Sequence, residues 1–212
     1  IQKKIKKLIK SLTIYKLKKK NIKKNIINLI KINIKKNIKY NHLLRVAINN
    51  KIISISLRKK PKPKLNFNLK LVNYKRYRPE FKNLKYQVIL KYLSKMNTTK
   101  SDIGLCNDRK LFESGTSNIL FIKNDKIFSP KDKIYKGITL NFFVKKVQKI
   151  IKKDILIKSL YEYDEIILIG SGKGVTSVAT INDLQWKRKS FKFYNILSNI
   201  YKEEINKCLI YK

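Results

Sequence analysis

The first 79 residues contain no aspartate or glutamate, yet they carry 26 of the chain's 52 lysines and arginines. Basic side chains with no acidic neighbour in sequence are left to solvated faces, so the spacing of apolar residues decides what folds. Ile1, Ile5, Leu8, Ile9 and Leu12 recur at helical spacing, and Ile22, Ile26, Ile27, Leu29 and Ile30 do so again, which predicts two amphipathic helices with lysine-coated outer faces. Two strand-like runs follow over 43–48 and 52–57, the second alternating Ile53, Ile55 and Leu57 against Ser54 and Ser56. Pro61 and Pro63 then interrupt the pattern.

Residues 80–212 hold the other 26 basic side chains and all 13 acidic ones, so the charge pattern suggests two domains, 1–78 and 79–212, joined near Pro79. A short strand is expected over 69–74, a helix over 84–96, and strands at 103–106, 119–122 and 127–128. Asn107-Asp108 and Asn124-Asp125 supply hairpin turns. A helix over 139–152 and a strand over 166–169 complete the pattern, the strand running into Gly170-Ser171-Gly172-Lys173-Gly174. This order predicts an α+β protein with a mixed sheet.

The formal net charge is +39, which first suggests a nucleic acid or an anionic membrane as partner. The basic residues, however, are 46 lysines and only 6 arginines, whereas groove readers and phosphate clamps draw on the forked guanidinium. Lysine travels here with abundant isoleucine and with 21 asparagines, all A/T-rich codons, so a biased genome accounts for the composition and nucleic acid is not expected. Cys106, Cys208 and the single His42 lack metal-ligand spacing, so no metal site is expected and both thiols read as packing residues in a reduced compartment. No apolar run reaches the length of a membrane span, and the N-terminus lacks the core of a signal peptide. The chain reads as soluble, with the cytoplasm the default and organellar targeting left open. It starts at Ile1, so an upstream segment is expected.

Three segments stand out from the lysine-rich background. Phe112-Glu113-Ser114-Gly115-Thr116-Ser117-Asn118 places a carboxylate before small hydroxyl residues, which suits a backbone that approaches a ligand; the plain alternative is a polar turn. The 170–174 loop can aim N–H groups at a phosphate or carboxylate, although it fits neither the Walker nor the GxGxxG pattern. In Phe81-Lys82-Asn83-Leu84-Lys85-Tyr86 a lysine lies between aromatic residues, where desolvation would favour a nucleophilic amine.

Taken in order, these segments resemble the fold-type IV, or class IV, pyridoxal-phosphate enzymes: branched-chain and D-amino-acid aminotransferases and aminodeoxychorismate lyase. Lys82-Asn83-Leu84-Lys85-Tyr86 resembles the family's Lys-x-Leu-x-Tyr segment, and Glu113 to Phe121 its glutamate, small-residue run and Ser-Asn strand. Gly137-Ile138-Thr139 matches a Gly-Ile-Thr helix start, and Asp164-Glu165 through Val178 its last strand and glycine loop. Lys7-Leu8-Ile9-Lys10-Ser11 is similar to an Arg-Leu-x-x-Ser helix start, with Lys7 in place of the phosphate-binding arginine. The Gly-Ile-Thr turn here lacks the family's preceding Pro and following Arg.

The resemblance implies a two-domain fold: a small α/β N-terminal domain, truncated by loss of the family's leading strands, and a larger mixed α/β pseudo-barrel domain that binds pyridoxal 5'-phosphate. It implies that Lys82 carries the cofactor as a Schiff base and moves the proton, with Lys85 the competing candidate. Glu113 would contact the pyridine nitrogen, and Tyr86 would pack or hydrogen-bond near the lysine. Lys7, Ile138, Thr139 and Ser171 would bind the phosphate, and the backbone of Gly172 and Lys173 the substrate carboxylate. A homodimer acting on a small molecule, without a membrane partner, is implied as well. The Leu168-Ile169-Gly170-Ser171-Gly172 wording resembles eukaryotic aminodeoxychorismate lyases, which form 4-aminobenzoate and pyruvate for folate synthesis. The alternatives are a class IV aminotransferase for branched-chain or D-amino acids, or a non-catalytic lysine-rich RNA- or membrane-binding protein on a decayed enzyme fold.

Overall fold

Helical spacing in the basic N-terminal stretch produces two helices, α1 (Gln2–Ile14) and α2 (Ile22–Asn33), in the computed structural model, which describes residues 2–17, 20–35, 40, 42–147 and 149–207. Ile1 and Cys208 of the sequence reading lie outside those residues. The two strand-like runs form an antiparallel hairpin, β1 (His42–Ile48) and β2 (Ile53–Lys59). Ile5, Leu12, Ile26, Ile30 and Ile48 make a small buried core, against which Leu44, Val46, Ile53 and Ile55 pack. Ser54 and Ser56 face out, as the alternation requires, but Leu57 is exposed with them. This first compact unit comprises Ile1–Lys60, Lys82–Leu84 and Asn206–Lys212.

The second unit, Pro61–Phe81 and Lys85–Ile205, is built on a nine-stranded mixed sheet. Its strands are β3 (Phe67–Asn73), β4 (Ser101–Asn107), β5 (Lys110–Ser114), β6 (Asn118–Lys123), β7 (Lys126–Pro130), β8 (Ile150–Lys153), β9 (Glu165–Gly170), β10 (Gly174–Ile181) and β11 (Trp186–Lys187). Three helices accompany them: α3 (Gln87–Ser94), α4 (Ile138–Lys146) and α5 (Lys192–Asn206). The spatial order is β5-β4-β3-β10-β9-β6-β7-β8, with β11 beside β10.

Strand β10 joins the two halves of the sheet. Its first residues, Gly174 to Ser177, pair antiparallel with β9, whereas Val178 and Thr180 pair in parallel with Phe67 and Asn68 of β3. The register shifts between Val178 and Thr180, and an irregularity of this kind bends a strand and increases its local twist. The sheet curls accordingly into a half-barrel. Both faces of its centre are covered: Ile166 and Leu168 of β9 enter one apolar cluster with Phe121 and Tyr163, and Ile167 and Ile169 enter another with Phe143 and Leu197. Burial on both sides explains the continuous apolar run that marked this strand in the sequence.

Both hairpin turns form, with consecutive residues in the left-handed region as tight two-residue connections require: Asn124 (φ 50°) and Asp125 (φ 57°), and Asp108 (φ 51°) and Arg109 (φ 60°). The Asp108-Arg109 turn is centred one residue later than the Asn107-Asp108 pair suggested, because Asn107 pairs with Lys110 in the ladder. The helix expected over 139–152 is shorter. It ends at Lys146, Val147 is extended, and Ile150 and Ile151 pair in parallel with Ile127 and Phe128.

Helix α5 is held to the sheet by an acid at the start of β9. Glu165 is fully buried, and its two carboxylate oxygens accept the backbone N–H groups of Phe193 and Tyr194, each at 2.8 Å. These amides lie in the first helical turn, where no intrahelical acceptor exists and negative charge is favoured. Leu197 then packs with Phe143, Ile167 and Ile169. Glu165→Ala should remove both acceptors and lower unfolding free energy by about 1–3 kcal/mol, read by urea denaturation, with α5 amides losing exchange protection first.

Candidate functional site

Strand β5 and strand β6 are joined by a tight turn that Ser114 braces from inside. The Ser114 hydroxyl accepts the N–H of Ser117 at 2.8 Å and of Thr116 at 3.3 Å, while the Ser114 N–H donates to the Ser117 carbonyl at 2.9 Å. Side chains alternate along a strand, so neighbours Glu113 and Ser114 address opposite faces of β5. The sequence reading placed Glu113 in a segment between two strands; the structure puts it on β5 itself.

The Glu113 carboxylate is buried and held from two directions. Arg76 Nε lies 2.6 Å from one oxygen, and the Tyr135 backbone N–H donates to the other at 3.1 Å. Arg76 is fixed in turn by Nη2 donating to the Pro79 carbonyl at 2.8 Å. Burial pushes the Tyr135 phenol up, and the Arg76 charge opposes that shift. Tyr135 also ties Glu113 to the start of α4: its carbonyl accepts from Gly137 N–H at 2.8 Å and from the Asn118 side-chain amide at 2.7 Å. The Asn118 side-chain oxygen accepts from Gly137 N–H at 3.3 Å. Glu113, Asn118, Tyr135 and the Gly137-Ile138-Thr139 turn therefore form one connected array. Thr139 is buried at the N-terminus of α4, where the first-turn amides are directed out of the helix and anions are favoured.

On the other face of the same turn lies a second array. Asp102, at the start of β4 and fully buried, accepts Thr116 Oγ1 at 2.6 Å, Lys173 Nζ at 2.8 Å and Ser114 Oγ at 3.1 Å on a single oxygen. Its other oxygen accepts the Ile103 N–H at 2.8 Å. Lys173 Nζ also lies 4.8 Å from the centre of the Phe67 ring. The glycine loop between β9 and β10 is thus bound to the 114–118 turn. At its other end a Cβ on Gly170 would meet Ser117 Oγ at 2.9 Å and Ser117 Cβ at 3.4 Å, so the two loops lie in close contact there and a side chain would require the Ser117 hydroxyl to shift. Gly174 has φ +73°, the region in which a side chain is strained. Ser171 is exposed at the loop tip and Gly172 half-buried.

The remaining sequence candidates divide between the units. Lys7, on α1, and Lys82, exposed and in a segment without regular structure, both belong to the first unit. Burial lowers the pKa of Lys7. Next to Lys82, Asn83 donates to the Tyr15 hydroxyl at 3.1 Å. Tyr86 precedes α3 and packs, half-buried, against Val72, Ile89, Ile103 and Leu105. Lys85 Nζ stands 4.7 Å from the centre of the Tyr77 ring. Arg76, Asp102, Asn118 and Tyr135 are site residues that sequence reasoning did not single out; only Asn118 carried a signal, as the end of the Ser-Asn pair. Cys106 is buried, with its thiol pushed up by that burial. Among the described residues no cluster of histidine, cysteine or acid could hold a metal, and no helix is long and apolar enough to cross a membrane.

A family model described as amino-transferase class IV matches residues 2–181, the span that contains both arrays. The chain belongs to the class IV amino-transferase family. No curated protein matches its sequence. Solved structures of similar fold include a protein from Thermotoga maritima provisionally assigned as a branched-chain amino acid aminotransferase, with 19% identity over 73% of this chain and a TM-score of 0.61. Another, from Legionella pneumophila, is provisionally assigned as a 4-amino-4-deoxychorismate lyase, with 15% identity over 94% of this chain and a TM-score of 0.73. A third is an aminotransferase from Brucella abortus bound to PLP, with 16% identity over 72% of this chain and a TM-score of 0.61. The class IV chain described here spans 61% of the Thermotoga protein, 83% of the Legionella protein and 58% of the Brucella protein.

Arg76→Met should remove the 2.6 Å ion pair to the buried Glu113 carboxylate and destabilise the protein by about 3–5 kcal/mol. The Arg76→Met/Glu113→Gln double variant should recover part of that loss in urea denaturation, since the buried carboxylate is then removed together with its guanidinium partner.

Proposed function

We propose that this class IV chain is a pyridoxal 5'-phosphate-dependent enzyme, and that its reaction is the conversion of 4-amino-4-deoxychorismate to 4-aminobenzoate and pyruvate. The observation that carries the reading is the buried Glu113 carboxylate on β5, fixed by Arg76 and the Tyr135 amide beside the N-terminus of α4. A carboxylate placed in that way suits a protonated ring nitrogen. The other donors suit the rest of the cofactor: the α4 N-terminus and Thr139, with Ser171, offer N–H and hydroxyl groups for a phosphate. Lys7 would add charge to the phosphate and Lys82 would hold the cofactor covalently.

When bound, the cofactor supplies an electron sink for negative charge developing on the substrate. The residues of this chain would do the remainder. The Lys82 amine would remove the proton from the substrate ring carbon. Glu113 would keep the facing nitrogen positive, and Gly172 and Lys173 would present backbone to a substrate carboxylate. Elimination of the enol side chain as pyruvate leaves the ring aromatic. The choice of lyase rests on the Gly170-Ser171-Gly172 wording, which resembles aminodeoxychorismate lyases, and the high positive charge would favour approach of a dicarboxylate. The resemblance also implies a homodimer, to be checked by sedimentation.

The purified protein loaded with pyridoxal 5'-phosphate should retain a pyridoxyl label on Lys82 after borohydride reduction and peptide mapping; a label elsewhere, or none, rejects the assignment. Supplied with aminodeoxychorismate it should release pyruvate and 4-aminobenzoate in equal amounts, whereas turnover only of an amino acid with a 2-oxo acid would make it an aminotransferase. Glu113→Gln should lower kcat by about 10²- to 10³-fold, the scale of a preorganised electrostatic contact, with Lys82 still labelled.

A further inference from the structure

Lys173 is the one lysine among the buried side chains of the described residues, in a chain whose other described lysines are half-buried or exposed. Compositional drift accounts for lysine on a wetted surface. It does not account for a lysine whose side chain is 3% exposed, since a buried ammonium needs a partner to compensate its lost water. The partner is Asp102, from a strand that lies on the far side of β3 and β10 in the sheet order.

The contacts specify what this pair does. Lys173 sits at the β10 end of the glycine loop, and its Nζ reaches the same Asp102 oxygen that holds Ser114 and Thr116 of the opposite turn. Thr176 Oγ1 donates to the Lys173 carbonyl at 3.3 Å, which holds its backbone as well as its side chain. At the β9 end Gly170 lies against Ser117. The exposed tip, Ser171 and Gly172, is therefore fixed at both ends to one and the same turn.

We propose that Lys173, acting through Asp102, is the positioning residue that locks the Ser171-Gly172 tip and the Thr116-Ser117 turn into one rigid lip, on which the backbone donors of the Ser171-Gly172 tip receive the anionic group of the substrate. The proposal rests on the class IV reading given above and deepens it. The side chain of Lys173 does not touch substrate; it sets where its neighbours can. Rigidity matters because a donor held in place loses little freedom on binding, whereas a glycine loop left loose must be ordered by the ligand itself.

The test uses the full chain with Lys173→Met, Asp102→Asn and the double variant. Amide hydrogen exchange should speed up about tenfold or more at 170–174 and 114–118 in each single variant, while β6 and β9 stay protected. The double variant should be no faster than the faster single one, because both remove the same contact. In whichever of the two turnover assays the wild type is active, Lys173→Met should raise KM about tenfold and lower kcat less than about threefold. Unchanged loop exchange, a uniform loss of protection across the strands, or a fall in kcat at constant KM overturns the proposal. If Lys173→Met does not fold, Thr116→Val, which removes one bond to Asp102, must still accelerate exchange at 170–174, and its failure to do so is equally decisive. A wild type that neither takes the cofactor nor turns over either substrate rejects the enzymatic reading, and loop exchange alone then decides whether Lys173 positions the lip.

Discussion

A carboxylate with no access to water, Asp102, determines how the two loops of the site are arranged. Such a charge persists in an apolar interior only when its lone pairs are met by donors, and here three side chains and one backbone amide meet them. Two of those side chains, Ser114 and Thr116, come from the end of β5 and the turn after it, and the third, Lys173, from the turn before β10. The strand that carries Ser114 presents Glu113 to its other face, so the ionic network of Asp102 and that of Arg76 are related by the simple alternation of a β-strand. Placement of one sets placement of the other.

Three of the 13 acidic residues, Asp102, Glu113 and Glu165, are buried, and each has its own donor set. Asp102 binds loop to loop, Glu113 binds the strand to the approach of α4, and Glu165 binds the sheet to α5. A chain with so few acids uses these at junctions between elements. Two half-buried acids do simpler work: Asp154 is held below the usual carboxylate range by its hydrogen bond to Lys110, and Glu162 by Lys123, in pairs that contribute little at a wetted surface.

The strands and helices with a strong period were legible in the sequence. The alternation at Ile53 and Ile55, the apolar run at Ile166–Ile169 and the Asn124-Asp125 turn each correspond to the element expected, because the local pattern and the tertiary packing agree there. Strand β8 was not legible, because the 149–153 stretch reads Lys-Ile-Ile-Lys-Lys and only parallel pairing with β7 makes it a strand. Helix α5 carries Phe193, Leu197, Ile200 and Tyr201 at helical spacing and was legible in principle. In the site, Glu113 and the glycine loop stood out as rarities in a lysine-rich text. Asp102 did not, since a Ser-Asp pair reads as a turn, and Arg76 and Tyr135 act through contacts across long stretches of chain. Lys173 was noticed for its backbone, and nothing in a sequence of 46 lysines distinguishes the one whose side chain turns inward.

The parallel pairing of Phe67 with Val178 and of Asn68 with Thr180 sets an order of events during synthesis. Strand β3 lies early in the chain and cannot acquire this neighbour until almost the whole second unit has left the ribosome. The hairpins β4–β5 and β6–β7 are local and can form as they emerge, whereas closure of the sheet at β10 is a high-contact-order step that comes last. Until then the edge of β3 that awaits β10 is open to the wrong partner. The same late step brings Lys173 to Asp102, so maturation of the glycine loop coincides with completion of the fold.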